Sequence, residues 1–303
     1  MSAVPVRDLL PGKEVPLGES TRVRRLLPSL GRRMIGAWCF VDHYGPDDIA
    51  DQPGMQVPPH PHMGLQTVSW LHDGEILHRD SLGSRQVLRP RQLGLMTSGD
   101  GLSHAEQSPA EHPRILHGAQ LWVALPDEAR RVTPAWEFHP TLPEVTMPGL
   151  TATVILGDFD TVTSPGTTHS PLVGLDIHLR PGTRLRLPVE PDFEYGALAM
   201  SPGATVDGVP LGRSGMLYLG AGRNELPVHA DADCRFMLLG GEPFAERIVM
   251  WWNFVGRTGA DITRARQDWV DRRRFGGVTD YRGDRLTAPP LPPTPLLPRG
   301  RQR

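Results

Sequence analysis

Short apolar or alternating runs, each closed by turn residues, recur along this chain of 303 residues. Residues 65–71 (LQTVSWL), 119–125 (AQLWVAL), 152–156 (ATVIL), 172–179 and 235–239 have the length of strands. The breaks between such runs are Asp73-Gly74, Pro126-Asp127, Pro181-Gly182 and Gly240-Gly241, dipeptides that turn the backbone sharply. Many short strands with no intervening helical period predict an all-β fold of the barrel or sandwich kind. A Pro- and charge-rich stretch over 127–150 divides the chain into two halves of similar size. One helix is predicted late. After Asp261 as N-cap, Ile262, Ala265, Trp269 and Val270 recur at helical spacing. Beyond it Pro289, Pro290, Pro292, Pro293, Pro295 and Pro298 form a tail that is neither helix nor central strand and reads as an extended terminus.

Composition narrows the function classes. With 39% hydrophobic residues the chain buries a sizeable core, and its length suits two domains of about 100–150 residues. The 32 basic and 34 acidic residues give a net charge of −2, which argues against nucleic acid as the principal partner. No run of 18 apolar residues is present, and Met1 to Gly18 lack the basic-then-apolar pattern of a secretory leader. Cys39 and Cys234 lie in different halves and make no disulfide framework. Together these predict a soluble cytoplasmic protein with no membrane partner.

Histidine is unevenly placed: eight of the 12 fall between His43 and His117. In Pro59-His60-Pro61-His62, Pro61 disfavours helix at His60. An extended backbone then turns residues i and i+2 to the same face. His104-Ala105-Glu106 repeats that spacing after the turn Ser98-Gly99-Asp100-Gly101. If the two strands meet in one barrel, His60, His62, His104 and Glu106 converge. The absence of a thiolate argues against a closed structural zinc site. Mixed imidazole and carboxylate ligation suits a first-row divalent ion and leaves positions open for substrate or dioxygen. The competing reading is a pair of loop histidines beside prolines and an unrelated surface pair.

The run HPHMGLQTVSWLHDGEILHRDSLGS from His60, with LMTSGDGLSHAE ending at Glu106, resembles the signature of the pirin family. GAWCFVDHYGP from Gly36, QLWVALP from Gln120 and FMLLGGEPFAERIVMWWNFVGRT from Phe236 extend the resemblance almost to Trp269. It implies a bicupin: two small jelly-roll β-barrels packed together, with a short C-terminal helix and the Pro-rich tail. The corresponding boundaries are 1–135 for a metal-binding cupin, 136–260 for a metal-free cupin and 261–303 for the helix and tail.

The resemblance places the metal ligands on His60, His62, His104 and Glu106. Thr67 stands where the wider cupin pattern has its first-motif Glu, so Glu106 supplies the carboxylate. His169, His178 and His229 are scattered and form no second set. The implied cofactor is one divalent ion, Fe(II) first, with Cu, Ni, Mn and Zn open. The implied activity is that of a dioxygenase on flavonols such as quercetin, with Glu106 as general base. The alternative class is a redox-sensing regulator that uses the same iron site to bind a protein partner.

Other residues have a bland reading first. His78, Asp80 and Ser81 read as a turn held by its own side chains, with a catalytic role as the alternative. Asp42 and His43 read as structural, with a role in orienting a ligand imidazole as the alternative. Met55, Met63 and Met96 either line the pocket or fill core. Trp251 and Trp252 read as core or interface aromatics, and Cys39 as inert packing.

Overall fold

In the computed structural model, residues 6–17, 21–213 and 215–302 are described. The leader reading over Met1 to Gly18 therefore lies partly outside them, at 1–5 and 18. Among the described residues the regular structure is strand, apart from one α-helix near the end of the chain. It forms two compact units that interleave in sequence. One comprises Met1–Lys13, Arg25–Phe40 and Thr141–Phe244; the other comprises Glu14–Arg24, Val41–Pro140 and Ala245–Arg303.

In the second of these units, a four-stranded antiparallel sheet runs in the order Gln56–His62, Leu102–Gln107, Ile76–Asp80 and Arg85–Leu88. A seven-stranded sheet has Leu65–Asp73 and Ile115–Ala124 near its middle. Val57, Ile76 and Leu88 from the small sheet join Tyr44, Leu71 and Leu116 from the large one in a single buried cluster. Burying one apolar face of each sheet against the other is the layered solution such strands require. Met55 belongs to this core, and Met96 is fully buried on its strand.

The other unit repeats the arrangement, and among its described residues no histidines cluster. An eight-stranded sheet carries Leu150–Phe159, Leu172–Leu179, Glu194–Ala199 and Cys234–Gly241, and a four-stranded sheet carries Arg184–Pro188 and Glu225–Ala230. Their inner faces form one large apolar cluster that includes Leu175, Ile177, Phe236 and Leu238. Each strand-length run singled out in the sequence falls on a strand, and Leu172–Leu179 keeps its bounds.

The helix spans Gly259–Val270, and its start corrects the sequence reading. Thr258, not Asp261, is the N-cap: its hydroxyl accepts from the Asp261 amide while the Asp261 carboxylate accepts from the Thr258 amide. This reciprocal pair is a capping box, in which the acidic residue belongs at the third helical position. Ile262, Ala265 and Trp269 face inward and pack with Met63, Phe254 and Phe275. Trp251 and Trp252 pack partly buried against the same cluster. The Pro-rich tail has neither helix nor ladder strand, yet it is tied down. Trp269 Nε1 donates to the Leu286 carbonyl, Arg266 Nε donates to the Pro289 carbonyl, and the Leu286 amide donates to the Pro59 carbonyl.

Candidate functional site

His60 and His62 occupy the end of the Gln56–His62 strand, and His104 and Glu106 lie on the adjacent Leu102–Gln107 strand. The two strands are antiparallel, with His104 directly opposite His60. The register then slips, so that Glu106 faces Val57. The slip coincides with Pro58 and Pro59, which have no N–H to give the ladder; a bulge is the usual outcome of proline inside a sheet. Immediately after His62 the chain reverses at Gly64, whose φ of +73° and approach to Val255 exclude a side chain: a Cβ there would lie 2.1 Å from the Val255 carbonyl oxygen.

Three imidazoles meet as a result. Ring centroids are 4.4 Å apart for His60 and His104, 4.9 Å for His62 and His104, and 5.0 Å for His60 and His62. One nitrogen from each lies within 4.8 Å of the others. Glu106 falls within the same distance of His104 and of a residue the ligand spacing did not include, His78. All five side chains are buried, His60 the most accessible at 7%.

Burial sets the protonation of the cluster. It pushes His60 down to about 4, against an opposing hydrogen bond to the Pro58 carbonyl. Burial and the neighbouring His60 hold His62 well below the usual imidazole range. Burial, then His60, His62 and His78, do the same for His104. The rings are therefore neutral at pH 7, the state in which an imidazole can donate a lone pair. Burial raises the Glu106 carboxyl, opposed by His78 and by the Ser69 hydroxyl.

The hydrogen bonds locate several of the lone pairs. His60 Nδ1 lies 2.8 Å from the Pro58 carbonyl, an acceptor only, so Nδ1 carries the proton and Nε2 is bare. His62 Nδ1 and His104 Nε2 are buried with no hydrogen-bond partner among the described residues. Unsatisfied buried nitrogens are uncommon enough to need an explanation, and a bound cation supplies one here. The three imidazoles thus fit a divalent metal ion, while Glu106 is grouped with His104 and His78 rather than with His60 and His62. Glu106 Oε1 accepts from the Ser69 hydroxyl at 2.7 Å; the same hydroxyl oxygen lies 3.1 Å from Gln120. A hydroxyl has one proton, and the shorter contact to the carboxylate takes it. Trp122 stands edge-on to His62 with centroids 5.1 Å apart.

Residues outside the four candidate ligands sort themselves by contact. Asp80 Oδ1 accepts the amides of Leu82 and Ser84, the turn that the sequence suggested. Its Oδ2 also lies 3.1 Å from His78 Nε2, a contact the sequence did not suggest. His78 stacks on Trp136, centroids 3.6 Å apart and planes 6° from parallel, and its Nδ1 lies 3.4 Å from His104 Nδ1. His43 pairs with His117 at 3.0 Å. In the other unit His178 and His229 pair with Asp233 and Asp231. Cys39 is buried, and burial raises its thiol to about 12. Among the described residues no helix is long and apolar enough to cross a membrane.

The family profile described as Pirin matches residues 20–123, and that of the Pirin C-terminal cupin domain matches 174–276. The chain is 46% identical over 277 residues to a Pseudomonas aeruginosa protein named "putative quercetin 2,3-dioxygenase", covering 91% of this chain and 88% of that one. It is 38% identical over 256 residues to a pirin-like protein of Caulobacter vibrioides, covering 82% and 87%. Among solved structures, a quercetin 2,3-dioxygenase from Acinetobacter baumannii shares 45% identity at a TM-score of 0.92, covering 95% of this chain and 96% of that one.

Proposed function

The chain belongs to the pirin family of two-cupin proteins, and from that premise we propose that it is a metal-dependent dioxygenase acting on flavonols such as quercetin. The observation that carries this reading is the buried convergence of His60, His62 and His104 with bare ring nitrogens, beside the carboxylate of Glu106. These four residues would hold one divalent ion, since neutral imidazoles and a carboxylate suit first-row metals, and the dioxygenase reading makes Fe(II) our choice among them. When bound, such an ion supplies Lewis acidity toward the substrate's oxygens and redox chemistry toward dioxygen.

The chain's own contribution is placement and proton handling. His60 is oriented by its bond to the Pro58 carbonyl, so its Nε2 does not need to reorganise on binding. Glu106 is the group that receives the flavonol's hydroxyl proton. Ser69 holds its Oε1, leaving Oε2 to take that proton, and burial raises the carboxyl toward the basicity a general base needs. Trp122, edge-on to His62, and the apolar core of the two sheets exclude water from the ionised substrate. Two buried, unlinked thiols suit a reducing compartment, and we place the protein in the cytoplasm.

The test is dioxygen uptake by Fe(II)-loaded protein with quercetin, beside His62→Ala under the same loading. Many turnovers per iron, lost in the variant, is the expected result. Iron bound at full occupancy without turnover would defeat the reading.

A further inference from the structure

We propose that Asp80 and His78 form a fixed-proton relay behind His104, holding that imidazole as the Nδ1–H tautomer with its Nε2 lone pair bare. The inference rests on the metal-site reading above and assigns two positioning residues to it.

The assignment follows from counting donors and acceptors. Asp80 Oδ1 accepts two amides, from Leu82 and Ser84, each at 2.9 Å. Its Oδ2 faces His78 Nε2 at 3.1 Å. An ionised carboxylate only accepts, so Nε2 of His78 bears the proton. The proposed relay takes His78 as the neutral ring, whose single N–H is then on Nε2 and whose Nδ1 is left as an acceptor. The atom it faces is His104 Nδ1, at 3.4 Å. His104 must then donate from Nδ1, and its Nε2 is bare. That same Nε2 is buried without a hydrogen-bond partner among the described residues, an independent observation that agrees with the count.

The relay is built into the sheet. In the antiparallel register Asp80 lies opposite His104, and His78 lies opposite Glu106. Stacking on Trp136 fixes the plane of the His78 ring, and both His78 and Asp80 are buried. Burial would raise the Asp80 carboxyl, but the His78 ring and the Ser84 amide outweigh it and keep the group below its usual value. Asp80 is therefore an acceptor throughout the neutral range. A ligand imidazole whose second nitrogen donates to an anchored acceptor has its tautomer and orientation settled before the metal arrives, and losing such support costs about 10- to 100-fold in metal affinity.

Three variants separate the relay from mere packing. His78→Phe keeps a ring on Trp136 and removes the acceptor. Asp80→Asn keeps an oxygen for the turn amides but presents N–H to His78, which drives His78 to the Nδ1–H tautomer and sets two donors against each other. His78→Asn places a side-chain oxygen near the position of Nδ1 and restores the acceptor. Two measurements read them: the 15N imidazole spectrum of the metal-free protein, which reports the His104 tautomer in wild type without any substitution, and Co(II) affinity by chelator competition.

The expected results are Nδ1–H on His104, Co(II) binding weakened roughly 10- to 100-fold in His78→Phe and Asp80→Asn, and affinity largely regained in His78→Asn. Nε2–H on His104 in wild type, as a doubly protonated His78 would require, overturns the relay. So does unchanged Co(II) affinity in His78→Phe and Asp80→Asn while His62→Ala loses it. If His62→Ala itself binds Co(II) as wild type does, the metal reading fails, and the tautomer spectrum still judges the relay separately.

Discussion

His104 stands directly opposite His60 across two antiparallel strands, with ring centroids 4.4 Å apart. The metal-site proposal depends on that pairing, since it brings two separate i, i+2 motifs together through His104, the residue shared by the triads His60–His62–His104 and His78–His104–Glu106. The apolar core keeps the cluster dry, and dryness keeps its imidazoles neutral.

Removing the hydroxyl that holds Glu106 tests the proton-handling role. Ser69→Ala deletes the 2.7 Å bond to Oε1 and raises the carboxyl further, because that bond opposes the effect of burial. The carboxylate loses the bond that aims it, and misplacing the proton acceptor outweighs its higher basicity, so kcat/KM with quercetin should fall roughly tenfold or more. Metal content should be retained. A variant with unchanged kcat/KM would remove Ser69 from the reaction.

The thiols are predicted to be silent. Burial lifts Cys39 to about 12, and burial with Asp233 and Asp231 raises Cys234. Ellman's reagent at pH 8 should label neither cysteine in the native protein and both after denaturation. Rapid native labelling at either site would show that the buried state described here opens easily.

The helix start carries a pH dependence with a definite sign. Partial burial pushes the Asp261 carboxyl up, but the Arg257 and Thr258 amides outweigh it, and the net shift is downward. A depressed folded value contributes stability above the ordinary carboxylate value of about 4, lost as pH falls through the folded value. Melting temperature should drop between pH 6 and pH 3 by less in Asp261→Asn than in wild type. Equal drops would remove Asp261 as a contributor. Thr258→Ala should cost about 1 kcal/mol at pH 7, read from urea unfolding.

Trp269 anchors the helix and the tail together. It is buried, packs against Phe275, and donates to the Leu286 carbonyl. Trp269→Ala should destabilise by about 3–5 kcal/mol through the cavity alone, measured by denaturant midpoint. A loss below 1 kcal/mol would mean that the tail and helix are not cooperative with the sheets.

Much of this was legible in the sequence because the signals are local. Pro61 dictates extended backbone at His60, and alternation places His62 on the same side; His104 and Glu106 follow the same rule. What the sequence hid is non-local. The bulge at Pro58 and Pro59, opposite Ala105, depends on which strand lies alongside, and so does the meeting of His78 with His104. The contact of Asp80 with His78 is the local exception: it follows the same i, i+2 alternation that pairs His60 with His62, and the turn-forming role of Asp80 masks it. Asp261 passes for an N-cap until Thr258 is seen closing the box from three residues earlier. Membership of Met1–Lys13 and Arg25–Phe40 in the unit formed mainly by Thr141–Phe244 leaves no mark on hydrophobic pattern at all.

The central claim is that His60, His62, His104 and Glu106 make one metal site per chain, and a Co(II) absorption titration of the metal-free protein tests it most directly. The account predicts saturation at one ion per chain, and loss of that binding in His62→Ala and His104→Ala with the fold intact. Saturation unaffected by either substitution would contradict it.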